Sequence, residues 1–444
     1  MIKVQSSKFK VQRVLLFLLF TIHCSLFTVS PAIAGDKVIT ISEAYDLALK
    51  SHEKIKIAEE DLEQADIGVD KALSQLLPTM TAEGTHTKYT KEKTSSLTVI
   101  QPDNSSTFSL KFSQPLYTGG KEWSARRQAK KKVDSNKEGL DFVKEGIVFD
   151  VSNAYYNLLK AEKDKDIKEA ALQRAKEQTK VAKARLDVGD VTKSVLLRAE
   201  AEEAGANAEL AKSLAALDIA RTKLARLIGT PPDFKVRPPS PMSTPKNIDG
   251  IILNVFDKRR DYIQAKIDEE IAKEGITYAK GNFMPSLKLD GTYSRRDQDP
   301  ISSSFFNKES IYGTITLSLP FFEGGLRSAE LKESKSKLRQ AELKRLNLKR
   351  DIEQDIRETF YNITAIASTI NSYERQVLFA EENYKMVFKQ FQYGLATNVD
   401  VVDANATVIS AQKGLANATY DLQISIIGLK KKTGELLDET LASK

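Results

Sequence analysis

The feature that most constrains this chain is a duplication whose two copies keep the same internal spacing. Two glycine pairs, Gly119-Gly120 and Gly324-Gly325, lie 205 positions apart. In each copy another glycine, Gly189 or Gly394, follows the first by 70 positions. Packed helices resist length changes that loops accept, because one inserted residue rotates an apolar helix face by about 100°. The unchanged spacing therefore predicts one large unit of long packed helices, present twice.

Each copy contains a stretch long enough for an exceptional helix. Lys121–Asp187 and Leu326–Gln392 are each 67 residues without a proline, and at about 1.5 Å per residue each would form a helix of roughly 100 Å. The second stretch carries two seams at seven-residue spacing, which predict left-handed coiled-coil packing. The seams are Ile356, Ile363, Ile370, Val377, Tyr384, Phe391 and Ile352, Thr359, Ile366, Tyr373, Ala380, Val387.

The first 34 residues are interpreted as a secretory signal. Basic residues precede a 14-residue apolar stretch, Val14–Phe27, and Ala32-Ile33-Ala34 provides a cleavage pattern. Fourteen residues are too few for a membrane-spanning helix. The only cysteine, Cys24, lies in that stretch, so we expect no disulfide or thiolate metal site in the mature chain.

The remaining chain is predicted to divide into two repeats, a linker and a tail. Each repeat has an opening helix (Ser42–Leu77 and Ile251–Met284), a β-hairpin, the long helix, a glycine tip and a returning helix (Val191–Ile228 and Asn398–Thr433). The predicted divisions are the first repeat at 35–230 with its hairpin at 79–116, a Pro-rich linker at 231–246, the second repeat at 247–437 with its hairpin at 286–320, and a tail at 438–444.

The hairpins alternate polar and apolar residues over lengths that suit transmembrane β-strands. A soluble hairpin with one buried face is the alternative. The alternation predicts a lipid-facing set, Phe108, Leu110, Phe112, Ile315, Leu317 and Leu319, and a lumen-facing set, Ser109, Lys111, Thr316 and Ser318. Four strands cannot close into a barrel, and an open edge cannot face lipid. Membrane insertion would therefore require several copies to share one barrel, and three copies would supply twelve strands.

Several motifs together resemble the TolC-like outer membrane efflux protein family. Leu116-Tyr117-Thr118-Gly119-Gly120 and Phe321-Phe322-Glu323-Gly324-Gly325 match its strand ends, and Arg185-Leu186-Asp187-Val188-Gly189-Asp190 resembles its Arg-Leu-x-x-Gly-Asp tip. Val399–Ala404 resembles its aperture helix, whereas the second tip lacks the arginine and leucine. The resemblance covers essentially the whole mature chain.

The resemblance implies a mainly α fold, in which the duplicated coiled-coil unit forms a periplasmic α-barrel and each chain adds four strands to a 12-stranded β-barrel. It also implies a homotrimer in the outer membrane of a Gram-negative bacterium. Its partners would be a periplasmic adaptor (membrane fusion protein), an inner-membrane transporter and outer-membrane lipid, with no nucleic acid and no cofactor. The implied function is passive export of small molecules or unfolded polypeptides, without enzymatic activity. The implied adaptor contacts are Arg185, Leu186, Gly189, Asp190, Gly394 and Leu395.

Asp400 and Asp403 are the candidate periplasmic aperture ring. They lie one turn apart on one helix face, and crowding between copies would raise some of their pKa values. The alternative is that two aspartates near a helix start simply favour its dipole. Family members latch the aperture with an arginine and an acid at positions that hold Ala396 and Val195 in this sequence, so that pair cannot close it.

Nothing else in the sequence points to chemistry. Neither His52 nor His86 has a metal-ligand partner nearby in sequence, so both are interpreted as incidental, and no nucleotide or hydrolase motif is present. The mixed positive and negative charges are typical of solvated helix faces and not of a nucleic-acid interface. The runner-up function is a periplasmic coiled-coil adaptor or scaffold, which would need an anchor or a lipoyl-like domain. An enzyme is the third possibility.

Overall fold

The computed structural model describes residues 37–95, 98–301 and 307–442. The predicted signal at 1–34 lies outside these residues. Within them, residues 37–38 and Asp233–Lys235 belong to a small unit, and a large unit comprises the rest. In chain order the elements are β1 (Lys37–Ile39), α1 (Ile41–Ser51), α2 (Glu53–Ser74), β2 (Thr79–Lys88), β3 (Lys93–Ser95), β4 (Thr98–Gln101), β5 (Asn104–Tyr117), α3 (Lys121–Asp187), α4 (Lys193–Ile228), β6 (Phe234–Val236), α5 (Ile248–Asn254), a 3₁₀ turn (Val255–Asp257), α6 (Arg260–Gly281), β7 (Ser286–Asp299), β8 (Glu309–Ser318), α7 (Leu326–Gln392), α8 (Asn398–Thr433) and α9 (Leu436–Ala442).

The two long helices, α3 and α7, are both present at 67 residues. Each begins directly after a glycine pair and ends just before a tip glycine. The coiled-coil seams predicted for α7 are confirmed at its buried positions, since every buried residue of this helix belongs to one of the two seams. These residues are Ile352, Ile356, Thr359, Ile363, Ala380 and Phe391.

Both opening helices differ from the prediction, because each is broken near its start. The predicted Ser42–Leu77 helix is two helices separated at His52, whose backbone is extended and whose Nδ1 accepts a hydrogen bond from the Lys54 N–H at 3.2 Å. In the second repeat the break falls at Arg259, also extended, after the 3₁₀ turn. A residue in an extended conformation ends one helix and caps the next, and apolar periodicity alone does not reveal it.

The helices of the large unit pack around α3, which contacts α2, α4, α6 and α8, while α7 packs against α6 and α8. One apolar core joins α6, α7 and α8. Its buried members are Val255, Tyr262, Ile352, Ile356, Ile363, Leu422, Ile426 and Leu429. Among the described residues, none of the helices is both long and apolar enough to cross a membrane.

Four strands form one antiparallel sheet in the order β2-β5-β7-β8. Its central pair, β5 with β7, joins the two repeats. Strands β5 and β7 remain paired up to Asn104 and Asp299, and β3 and β4 form a separate ribbon. Ladder hydrogen bonds come from the backbone, so pairing continues beyond the last apolar side chain.

The segments outside the repeats also contain regular structure. Strand β6 lies within the predicted linker and pairs with β1. Most of the predicted tail at 438–444 belongs to helix α9 instead of an irregular segment, and Leu436, Leu437 and Thr440 of that helix are buried. The predicted division of the chain into two repeats joined by a linker stays a prediction.

Candidate functional site

The sheet has one apolar face, because the strand register places the apolar side chains of neighbouring strands beside one another. Leu110 pairs with Tyr293, and Tyr293 pairs with Ile311; four positions along β7, Leu289 pairs with Ile315. The whole predicted strand set from Phe108 to Leu317 therefore lies on one face, while Leu319 lies one residue beyond the end of β8. Phe108, Leu110, Ile315 and Leu317 are all exposed within the chain. This face is an uncovered apolar surface in the single chain.

The opposite face is polar and carries paired charges. Lys111 donates to Glu83 at 2.5 Å, and Lys288 lies 2.9 Å from Asp290. The predicted polar residues Ser109, Thr316 and Ser318 share this face, since they pair with Glu83, Lys288 and Ser286. One sheet thus separates an apolar surface from a hydrated one, as a strand must when lipid lies on one side and water on the other.

The two tips are built alike, on five residues between helices. In the first, the Asp190 N–H donates to the Arg185 carbonyl at 2.8 Å; in the second, the Leu395 N–H donates to the Gln390 carbonyl at 2.8 Å. These are the six-to-one bonds of a Schellman turn, which requires a left-handed residue. Gly189 and Gly394 fill that position with φ of +76° and +78°.

Of the predicted adaptor contacts, Arg185 is the one that the structure places mostly inside. Its side chain is 13% exposed. Its Nε donates to Asp190 Oδ2 at 2.7 Å, and its Nη1 donates to the carbonyl of Phe391, in the last turn of α7 beside the second tip, at 2.7 Å. Gly189, Asp190, Gly394 and Leu395 are exposed, and Leu186 is half-buried.

Two exposed apolar residues at the tips were not predicted from the sequence. Val188 and Tyr393 occupy equivalent positions of the two repeats, and each is 80% exposed, like Leu395. Each directly precedes a tip glycine, and this position in the sequence could have indicated that the side chain lies at the tip. Three exposed apolar side chains beside one acidic residue give the tips a surface suited to contact with another protein.

Asp400 is exposed and serves as a helix cap within the single chain. Its carboxylate accepts the Thr397 backbone N–H and hydroxyl, both at 2.7 Å, and the Thr397 hydroxyl accepts the Asp400 N–H in return. These bonds, from the Thr397 hydroxyl and then from its backbone, lower the pKa of Asp400 below its usual value of 3.8. The expected rise in pKa requires neighbouring copies and is not seen in one chain. Asp403 is also exposed, one turn further along.

The two positions that lack the latch residues lie against an apolar cluster. Val195 and Ala396 are half-buried beside a core that joins α3, α4, α7 and α8, formed by Ala182, Ala199, Phe391 and Val401. An apolar contact therefore stands where the family pattern has an ion pair. In the first repeat the N-cap Thr192 makes no side-chain hydrogen bond, whereas Thr397 and Asp400 form a capping box in the second repeat.

The histidines and carboxylates of the described residues form no group that could hold a metal ion. His52 caps α2, and His86 Nδ1 lies 2.9 Å from the hydroxyl of Ser106. The arrangement is thus a sheet with one apolar and one polar face, joined to long helices that end in ordered tips, and it suits a duct.

Comparison with known proteins places this arrangement among outer-membrane channels. Residues 44–230 and 254–435 match the model of the family described as "Outer membrane efflux protein". The chain is 23% identical to outer membrane protein TolC of Escherichia coli over 421 residues, covering 90% of this chain and 83% of TolC. It is 21% identical to the proteases secretion protein PrtF of Dickeya chrysanthemi, covering 94% and 93%.

Solved structures share the fold. The outer membrane protein VceC of Vibrio cholerae superimposes with a TM-score of 0.74 at 20% identity, covering 89% of this chain and 96% of VceC. CusC superimposes with a TM-score of 0.74 at 18% identity, covering 89% and 92%. Because the family model spans both repeats, from the opening helices to the start of the C-terminal segment, the chain belongs to the outer membrane efflux protein family.

Proposed function

We propose that this protein is the outer-membrane exit duct of a tripartite efflux pump or a type I secretion system. It would passively export substrates delivered by an inner-membrane transporter and a periplasmic adaptor. The single observation that carries the proposal is the four-stranded sheet with one exposed apolar face and one charged face, joined to two helices of 67 residues each. Membership of the family supports both the outer-membrane location and the export role.

The sheet also supports assembly into a trimer. Its outer strands, β2 and β8, each pair with only one neighbour among the described residues. An unpaired strand edge in lipid leaves backbone groups without partners, at a cost of several kcal/mol each. Pairing β2 of one copy with β8 of the next removes every edge, and three copies close a ring of twelve strands that is wide enough to leave a lumen.

Edge-to-edge cross-linking tests this assembly. In a Cys24→Ser background, Thr85→Cys on β2 is combined with single cysteines along β8, beginning with Thr314→Cys; both positions lie on the polar face. Oxidation of outer-membrane fractions should give covalent trimers only when both edges carry a cysteine. The matched control, Thr85→Cys with Thr292→Cys on the interior strand β7, should not give them.

Two results would contradict the proposal. A monomer recovered in the soluble periplasmic fraction would favour the alternative of a coiled-coil adaptor or scaffold. The second result concerns export in a strain that lacks its own duct but contains the matching adaptor and transporter. If trimers reach the outer membrane of that strain and restore no export, the outer-membrane location stands and the export role is wrong.

A further inference from the structure

One arginine joins the two tips of the chain. Arg185 lies in the last turn of α3, yet one of its two hydrogen bonds within the tips goes to Phe391, near the end of α7. Its guanidinium also lies over the Phe391 ring, 5.2 Å from the ring centre. Phe391 itself is 1% exposed, in the cluster that joins the helices at this end. Arg185 therefore contacts a residue that is itself held in place by the packing of the helices beside the second tip.

Helix electrostatics explain why a cation is needed at this point. Both α3 and α7 end here, and each helix end carries partial negative charge on carbonyls without helical partners. The guanidinium lies at the end of its own helix and donates to a terminal carbonyl of the other, so one positive charge serves both ends. Asp190 holds it from the opposite side at 2.7 Å. A planar, forked donor can bond both partners together, which a lysine ammonium cannot reproduce.

The second tip does not repeat the pair of Arg185 and Asp190. The repeat equivalents of Arg185 and Asp190 are Gln390 and Leu395. The second tip instead leaves room for the arginine, because a Cβ on Gly394 would lie 3.3 Å from Arg185 Nη2, whereas a Cβ on Gly189 would meet nothing within 4 Å. The two tips therefore differ in role: the first supplies the guanidinium that donates the hydrogen bond, and the second supplies the carbonyl that accepts it.

We propose that Arg185 is a positioning residue that fixes the second tip against the first, so that both tips of a chain present one docking surface to the adaptor. This surface consists of Val188, Asp190, Tyr393 and Leu395. The inference rests on the proposed function only in naming the adaptor as the partner. A charge-reversing substitution such as Asp190→Lys would therefore disturb the tip itself as well as an adaptor contact, since it removes a partner of Arg185.

The coupling of the tips can be measured without any partner. Spin labels on Val188→Cys and Tyr393→Cys, both at exposed positions, report the distance between the tips in full-length assemblies diluted with unlabelled chains. The unaltered tips should give one narrow distance peak. Arg185→Gln should lose that peak and shift the distribution to longer distances, and Arg185→Lys should not restore it. The control Arg198→Gln, at an exposed position on α4, should leave the peak unchanged.

A narrow peak retained in Arg185→Gln would overturn the inference. If that variant does not assemble, Asp190→Asn replaces it, because this change removes the charge of one partner and keeps the backbone turn. It should broaden the peak, and an unchanged width would likewise overturn the inference.

A second measurement separates this inference from the proposed function. A photo-crosslinker at Leu395 is tested against the purified adaptor encoded with the bacterium's own inner-membrane transporter. Arg185→Gln should lose the crosslink that the unaltered chain forms, and full crosslinking from separated tips would overturn the docking role. If the unaltered chain forms no crosslink while its distance peak is narrow, the proposed adaptor docking fails and the coupling of the tips stands.

Discussion

At the scale of single residues, the two tip glycines are equivalent in sequence but not in surroundings. Both adopt positive φ, so an alanine at either position costs roughly 1–2 kcal/mol in backbone strain. Only at Gly394 would the new methyl group also press on the Arg185 guanidinium. We expect Gly394→Ala to lower the hydrogen-exchange protection of the Leu395 amide more than Gly189→Ala lowers that of Asp190. Equal losses would show that the guanidinium adapts freely.

A buried carboxylate, Glu145 on α3, ties down the C-terminal helix. It is 2% exposed and lies near the backbone N–H groups of Leu436 and Leu437 at the start of α9. Burial raises its pKa from 4.5 to about 7, although those backbone groups and the charge of Arg260 act in the opposite direction. Because the folded pKa lies above the unfolded one, this group's contribution to stability is full below the unfolded value and is lost as the pH rises through about 7.

The amides of α9 should therefore lose exchange protection, after correction for the intrinsic rate, as the pH rises from 4.5 to about 7. Glu145→Gln keeps a hydrogen-bond acceptor and cannot ionise, so its protection should not change with pH in that range. The same pH response in both proteins would mean that another group controls the attachment of α9.

At the scale of elements, strand β8 offers two neighbouring positions on opposite faces of the sheet. Leu317 lies on the apolar face beside Leu287, and Thr316 lies on the polar face beside Lys288. Leu317→Arg should cost about 2–4 kcal/mol if its face meets lipid near the midplane, whereas Thr316→Arg should be tolerated. Refolding into lipid vesicles, followed by gel analysis of heat-modifiable trimers, measures the difference. Equal tolerance would favour a sheet that does not enter the membrane.

At the scale of the whole molecule, Asp400 and Asp403 are proposed to form carboxylate rings around the axis of a trimer. Channels in planar bilayers should then select cations, and trivalent cations added from the periplasmic side should block them. Asp400→Asn with Asp403→Asn should weaken the block by at least about tenfold, or 1.4 kcal/mol. Asparagine is chosen because the Asp400 side chain accepts the backbone N–H of the N-cap residue Thr397, and alanine would also remove that capping-box bond.

The control for this experiment is Thr192→Ala, at the matching helix start of the first repeat, where no side-chain cap bond exists. It should leave selectivity and block unchanged. Wild-type block in the double asparagine variant would mean that the two aspartates only support the start of α8, and that the aperture lies elsewhere.

The sequence by itself determined the long helices and the identity of the family. Lys121–Asp187 and Leu326–Gln392 form helices over those same residues, because the glycines that bound them act locally, through positive φ. Strand alternation is also local, since successive side chains on a strand point to opposite faces. Both signals are present in short windows of sequence, without knowledge of what packs nearby.

Only the tertiary structure decided which distant parts meet. No local pattern pairs β5 of one repeat with β7 of the other, places Glu145 under a helix almost 300 positions later, or directs Arg185 to a carbonyl of the second tip. Each of these contacts joins segments that are far apart in sequence and that only the packing of the helices and the pairing of the strands bring together. In sequence Arg185 was predicted to be an adaptor contact, whereas in the folded chain it bonds the second tip region and is proposed to hold the two tips together.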